Sequence, residues 1–300
     1  MSAKIRRIKI AAALIFIISL VIVILAPSPV LPATTCKIEN GVTVLSTQDF
    51  SAIPQSIVED ASRMAAGLFG EDRQKCDEFI SQILATYLKA RDKDIVVIFN
   101  AGGWGWDTVV DSHGWETIME GIKTELSGLG HSYLILSHKR TASSINGLVS
   151  ETMMAANVYP YKADDLAARA DFLTRHIEGI SIIFTAESNG TTICSSAFDI
   201  LEDNERIYSI LTGPPSWNNS STSERALIMR SNGASPDAFS EGDIITVIRS
   251  NLEALFGISQ KYAGDILFYI GAPGHYYSWE YEKVRLQITD FLRKSFGNKS

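Results

Sequence analysis

Apolar residues along this 300-residue chain follow two kinds of pattern. Over residues 53–68 and 76–90 they recur at three- and four-residue spacing, the period of an amphipathic helix. From residue 95 onward short β-branched and aromatic runs take over, at 95–99, 133–136, 180–186, 207–211, 226–229 and 266–270. Most are apolar at successive positions instead of alternating, which is how strands covered on both faces of a parallel sheet read. Between them, residues 114–129, 162–176, 191–201, 239–256 and 279–296 return to helical spacing and can serve as crossovers. The expectation is a doubly wound α/β domain over residues 40–300, built on a mostly parallel sheet of about six strands. No internal repeat is visible, and the one low-complexity patch, SWNNSSTS at 216–223, reads as a surface loop.

The N-terminus carries a third pattern. Residues 10–26 read IAAALIFIISLVIVILA without a charge, a run that spans roughly 25 Å as a helix, against a hydrocarbon core of about 30 Å that tilt or thinning can match. Lys4, Arg6, Arg7 and Lys9 precede it and favour a cytoplasmic N-terminus. Residues 1–27 are therefore expected to be a basic stub and signal-anchor helix, and 28–39 a linker. The protein becomes a single-pass membrane protein with its C-terminal domain outside the cytoplasm. A cleaved signal peptide is the rival; the apolar run is long for one, and no clean A-x-A site follows before PSPVLP. Cys36 and Cys76 fall early in the exported part, where they can pair or stay as thiols, and Cys194 reads as a core residue.

Composition narrows the function. With 46% apolar and 20% charged residues the chain is globular. A net charge of −7, with no basic run beyond the extreme N-terminus, argues against a nucleic-acid partner. Three cysteines in a chain of this length exclude a disulfide-built scaffold.

Candidate chemistry gathers in three loops that follow strands, where open α/β sheets place their ligands. In ISIIFTAESNGTTICSSAFDI, Ser188 stands between a strand and a helix with Ala186 and Gly190 on either side. This is G-x-S-x-G with Ala for the first Gly, a turn that projects the hydroxyl from the sheet; Ser188 as a simple helix cap reads similarly. In IFNAGGWGWDTVVDSHGW, the glycines at 102, 103 and 105 leave amides free for a phosphate or an oxyanion, or only make a turn over Trp104 and Trp106. No G-x-G-x-x-G or G-K-[ST] is present in it, and Ser137, His138 and Lys139 close the next strand without a ribose-binding acid. In ILFYIGAPGHYYSWEYEKVRLQITDFL, His275 precedes the last helix and can take a proton from Ser188, or be a turn histidine. His113, His131, His138 and His176 fall at helix starts, strand edges or a helix end, where solvated or capping roles are expected.

Order and spacing of these loops over residues 94–296 resemble the α/β-hydrolase family of serine esterases and lipases. The resemblance implies Ser188 as nucleophile and His275 as general base, with an oxyanion hole from the amides of Asn189 and of Ala101, Gly102 and Gly103. It implies an acid in RALIMRSNGASPDAFSEGD, where Asp237 occupies the usual loop, with Asp243 in reserve and Asn232 as a polar substitute. Trp104, Trp106 and Tyr276 would border the pocket for a small-molecule acyl substrate, with Trp217, Tyr277 and Trp279 nearby. No cofactor and no metal are implied. The chain departs from the family pattern in its two early helices, in Ala186, and in Glu187, whose carboxylate could raise the pKa of His275, repel anions or point into solvent. The short segment between 207–211 and 226–229 suggests an open site. The alternatives are a catalytically silent, membrane-tethered binding or scaffold module of the same fold, and a phosphate or nucleotide binder using the glycine loop.

Overall fold

The computed structural model describes residues 37–39, 50–103, 105, 107–112, 114–139, 160–218, 223–255 and 272–297. Five parallel strands form the sheet: β2 (Ile95–Asn100), β3 (Tyr133–Lys139), β4 (Ser181–Glu187), β5 (Ile207–Thr212) and β6 (Ala226–Met229). A three-residue strand, β1 (Lys37–Glu39), pairs antiparallel with β3, so the order is β1-β3-β2-β4-β5-β6. Every position of β2 is buried, as its unbroken apolar run requires of a strand covered on both faces.

Helices cover the two faces unequally. Val96, Ile98, Leu136, Ile182, Phe184 and Leu211 pack against α1 (Gln55–Phe69), α2 (Arg73–Ala90), α4 (Pro160–His176) and α5 (Gly190–Ile200). The alternate residues Ile95, Val97, Phe99, Ile183 and Ile210 pack against α3 (Trp115–Gly128) and α8 (Glu282–Phe296). Cys194 is buried in the first of these cores, as expected, and Cys76 is half-buried on α2. Cys36 lies outside the described residues.

Three expectations change. The single helix expected over 239–256 is two, α6 (Ala238–Glu241) and α7 (Ile244–Leu255). Gly242 takes a left-handed φ of 77° and ends the first, and the Asp243 carboxylate caps the second by accepting the Thr246 N–H at 3.0 Å. The last helix starts at Glu282 instead of residue 279, because the Trp279 N–H is donated to Thr117 Oγ1 (3.1 Å) on α3. The sixth described strand is β1, in the stretch expected as linker. The strand expected at 266–270 and the apolar run at 10–26 lie outside the described residues, and no described helix is long and apolar enough to cross a membrane.

The chain runs from β2 outward to β3, then back across β2 to β4. The segments leaving β2 and β4 therefore diverge to opposite faces, α3 on one and α5 on the other. That divergence opens a crevice at their carboxyl ends, the place where doubly wound sheets bind ligands.

The segment before α8 is fastened to α3 at this end. Besides the Trp279 bond, the Thr117 and Ser278 hydroxyls lie 3.1 Å apart, and a Cβ on Gly121 would overlap the Trp279 ring. Gly121→Ala is expected to displace that ring and destabilise the fold by about 1–3 kcal/mol. Denaturant unfolding followed by tryptophan emission measures this; an unchanged midpoint would show that Trp279 is not seated on α3.

Candidate active site

Ser188 follows the last residue of β4 and has a φ of 48°, the one positive value at a non-glycine among the described residues. A left-handed L-residue costs about 1–2 kcal/mol. The turn is held from both sides: the Ser188 N–H is donated to the Thr212 carbonyl (3.0 Å), and the Ser188 carbonyl accepts from the Thr191 N–H (3.0 Å) and hydroxyl (2.6 Å). Gly190 opens α5 directly against the end of β2; a Cβ there would overlap the Asn100 carbonyl and lie 2.6 Å from that of Ala101. The sharp strand-to-helix turn expected around Ser188 is thus present, with the small residue where the chains crowd. The Ser188 side chain is half-buried, and its hydroxyl has no hydrogen bond among the described residues.

His275 lies on the neighbouring strand end. Its ring rests on Gly213, the residue after β5, where a Cβ would come within 2.7 Å of Cε1. Gly213 directly follows Thr212, the residue whose carbonyl holds the Ser188 N–H. The Nδ1 of His275 is 2.9 Å from Asp237 Oδ2 and 3.1 Å from Oδ1. Asp237 is fully buried and caps α6, accepting from the Phe239 and Ser240 N–H groups on Oδ1 and from the Ser240 hydroxyl on Oδ2. Tyr277 donates its hydroxyl to the same Oδ2 at 2.9 Å. Burial alone would raise the Asp237 carboxyl, but His275 and these donors outweigh it and hold it below its ordinary value. Burial and the adjacent carboxylate push the Tyr277 phenol well up, so it stays a donor.

The partner of His275 is therefore Asp237. Asp243 serves α7 as a cap, and Asn232 braces a turn, donating to the Tyr276 carbonyl and accepting the Ala234 and Ser235 N–H groups. Ser240 and Phe239 escaped the sequence reading, and Tyr277, expected beside the pocket, instead binds Asp237. Phe239 meets the His275 ring edge-on, 4.9 Å between centroids, and continues to the exposed Trp217 at 5.5 Å. One signal pointed to Ser240: Asp-x-x-Ser is a capping spacing.

The glycine loop presents a mixed picture. The Asn189 N–H has no partner among the described residues. The Gly102 N–H, expected to be open, is donated to the Glu187 carboxylate at 3.3 Å. Of the fates considered for Glu187, projection into solvent is excluded: it is partly buried beneath the loop, and burial raises its carboxyl, the Gly102 bond offsetting this only in part. Tyr276 is exposed and meets Tyr281 edge-on, Trp279 packs on α3, and Trp104 and Trp106 lie outside the described residues. His131 and His176 make contacts at helix ends, 2.8 Å from the Phe296 carbonyl and 2.8 Å from Asp60 Oδ2. His138 is neither solvated nor a cap but fully buried, because β1 and α4 cover the end of β3; His113 lies outside the described residues. No cluster of His, Cys, Asp or Glu suited to a metal occurs among the described residues.

No protein-family model matches the chain, and no curated protein matches it. Among solved structures it is similar to a Trichoderma reesei cutinase in complex with a C11Y4 phosphonate inhibitor, at 12% identity, over 80% of this chain and 93% of that chain, with a TM-score of 0.43.

Two stability measurements check this geometry. Ser188→Gly should be more stable than Ser188→Ala by up to about 1 kcal/mol, since glycine relieves the left-handed strain and alanine does not; equal stabilities would contradict the conformation. Glu187→Gln should be more stable than wild type at pH 7. A carboxyl raised in the fold favours folding only while protonated, so its contribution is lost as pH rises, and the gap should close toward the ordinary glutamate pKa of about 4.3. A pH-independent difference would mean that Glu187 is solvated.

Proposed function

We propose that the chain is a serine hydrolase cleaving an ester, amide or thioester of a small acyl substrate through an acyl-enzyme. Ser188 is the nucleophile, His275 the general base, and Asp237 the carboxylate that orients it. The observation that carries the reading is the His275 ring, gripped by buried Asp237 and laid on Gly213, one residue from the carbonyl that holds the strained Ser188 turn.

Each group has a defined task. Nδ1–H of His275 is held by Asp237, which leaves Nε2 as the base. Ser188 Oγ attacks the substrate carbonyl as Nε2 removes its proton, and the tetrahedral oxyanion is bound by the Asn189 N–H and the amides of the glycine loop. The oxyanion competes with Glu187 for the Gly102 N–H, whose 3.3 Å bond is long and easily surrendered. Collapse expels the leaving group, protonated by His275. Water, deprotonated by the same nitrogen, then attacks the acyl-serine and releases the acid and Ser188. The hydroxyl has no hydrogen bond among the described residues, and catalytic contacts of this kind commonly tighten only with substrate. Tyr276 and Trp217, both exposed, supply apolar surface for the acyl group. Residues 10–26 would tether this domain outside the cytoplasm, a proposal resting on the sequence alone.

A fluorophosphonate probe should label the native chain and neither Ser188→Ala nor heat-denatured protein. On a panel of short acyl esters, Ser188→Ala should lower kcat by up to ~10⁶ and Asp237→Asn by about 10⁴. Absence of Ser188-dependent labelling and turnover would leave a catalytically silent tethered module. For the tether, the chain should stay with membranes washed in alkaline carbonate, and its release would indicate a cleaved leader.

A further inference from the structure

Below the glycine loop, on the α4 side of the sheet, four polar side chains are buried in a row that acyl transfer does not use. Asn100, the last residue of β2, points Oδ1 at His138 Nδ1, 2.6 Å away. His138 Nε2 lies 3.8 Å from Asp165 Oδ2, and Asp165 Oδ1 accepts Arg169 Nε at 2.7 Å. None of the four is more than 1% exposed. Arg169 also lies over the Phe79 ring, 4.5 Å from its centre, which ties the row to α2.

Stability does not account for this arrangement. Buried ionic groups are usually no better for a fold than apolar side chains of the same volume, and frequently worse. The row even strands a donor, since Asn100 Nδ2 is buried without a hydrogen-bond partner among the described residues. What the row does achieve is local. It grips the side chain of Asn100 from the α4 side, while Gly190 closes on the Asn100 and Ala101 carbonyls at the elbow. The peptide from which the glycine loop departs is clamped between the two.

We propose that Asn100 and His138 are positioning residues: their hydrogen bond, braced by Asp165 and Arg169, fixes the origin of the Ala101–Gly103 turn and so aims its amides at the oxyanion. The chemical consequence rests on the hydrolase reading above; the clamping of the loop does not. A loosened loop weakens the transition state more than the ground state, so kcat falls and KM stays.

The test uses the full chain in detergent micelles and the double variant Asn100→Leu/His138→Leu, which removes both partners and the stranded donor together. Amide hydrogen exchange at residues 101–103 should accelerate at least about tenfold while 95–99 stay protected. On a soluble ester, kcat should fall roughly 10–100-fold with KM within about twofold, and a trifluoromethyl ketone that forms a serine hemiketal should weaken in parallel. His138→Gln, whose amide can still donate to Asn100 Oδ1, should recover most of both. Unchanged exchange at 101–103 in the folded double variant overturns the proposal, as does equal loss in His138→Gln. If the double variant does not fold, Asn100→Ala carries the same expectation and the same refutation. Faster exchange in a chain whose wild type shows no turnover would sink the hydrolase reading and uphold the clamp; wild-type turnover with exchange and kcat unaltered in the variant would sink the clamp alone.

Discussion

The arrangement depends on how closely two strand ends approach. At the carboxyl ends of β2 and β4 the backbone of Gly190 lies against the carbonyls of Asn100 and Ala101, too close for any side chain. That contact forces β4 to turn into α5 within three residues, and the tightness of the turn drives Ser188 into a left-handed conformation. It also brings the glycine loop over the elbow, where the Gly102 N–H reaches the Glu187 carboxylate. The topology explains the location, because β2 and β4 are the neighbours whose following chains part to opposite faces.

The second half of the site reaches the same rim from a distant part of the sequence. Asp237 and His275 are 38 residues apart, yet they meet over Gly213 because α6 is short and the segment before α8 is fastened to α3. Asp237 is both helix cap and imidazole partner, so the fold of its loop and the orientation of His275 share one set of hydrogen bonds. A buried carboxylate with this many donors stays ionised, and an ionised Asp237 keeps the Nδ1 proton of His275 in place.

Much of this was legible in the sequence, for identifiable reasons. The five parallel strands announce themselves as mostly apolar runs, interrupted at Ser181, Thr185 and Ser209, and burial on both faces, which such runs signal, is complete in β2. Ser188 and His275 stand out because small residues and glycines flank them at strand ends. What stayed hidden depended on tertiary partners. β1 is three residues long and carries Lys37 and Glu39, too little for a periodic signal. The break at Gly242 was overridden by the helical spacing on either side of it. Asp237 and Asp243 look equivalent in sequence, since both precede a helix; only the position of His275 separates them. His138 reads as a solvated histidine, because nothing nearby in the chain announces Asn100, Asp165 and Arg169, which the fold brings to it.

The central claim is that one hydroxyl, one imidazole and a set of amides act on the same carbonyl. Its most direct test is mass spectrometry of the chain quenched in acid while it turns over an activated ester. The account predicts a mass increase equal to one acyl group, located on the peptide that contains Ser188 and absent from Asp237→Asn quenched after the same brief interval. Turnover that leaves Ser188 unmodified, or an acyl group carried on another residue, would contradict it.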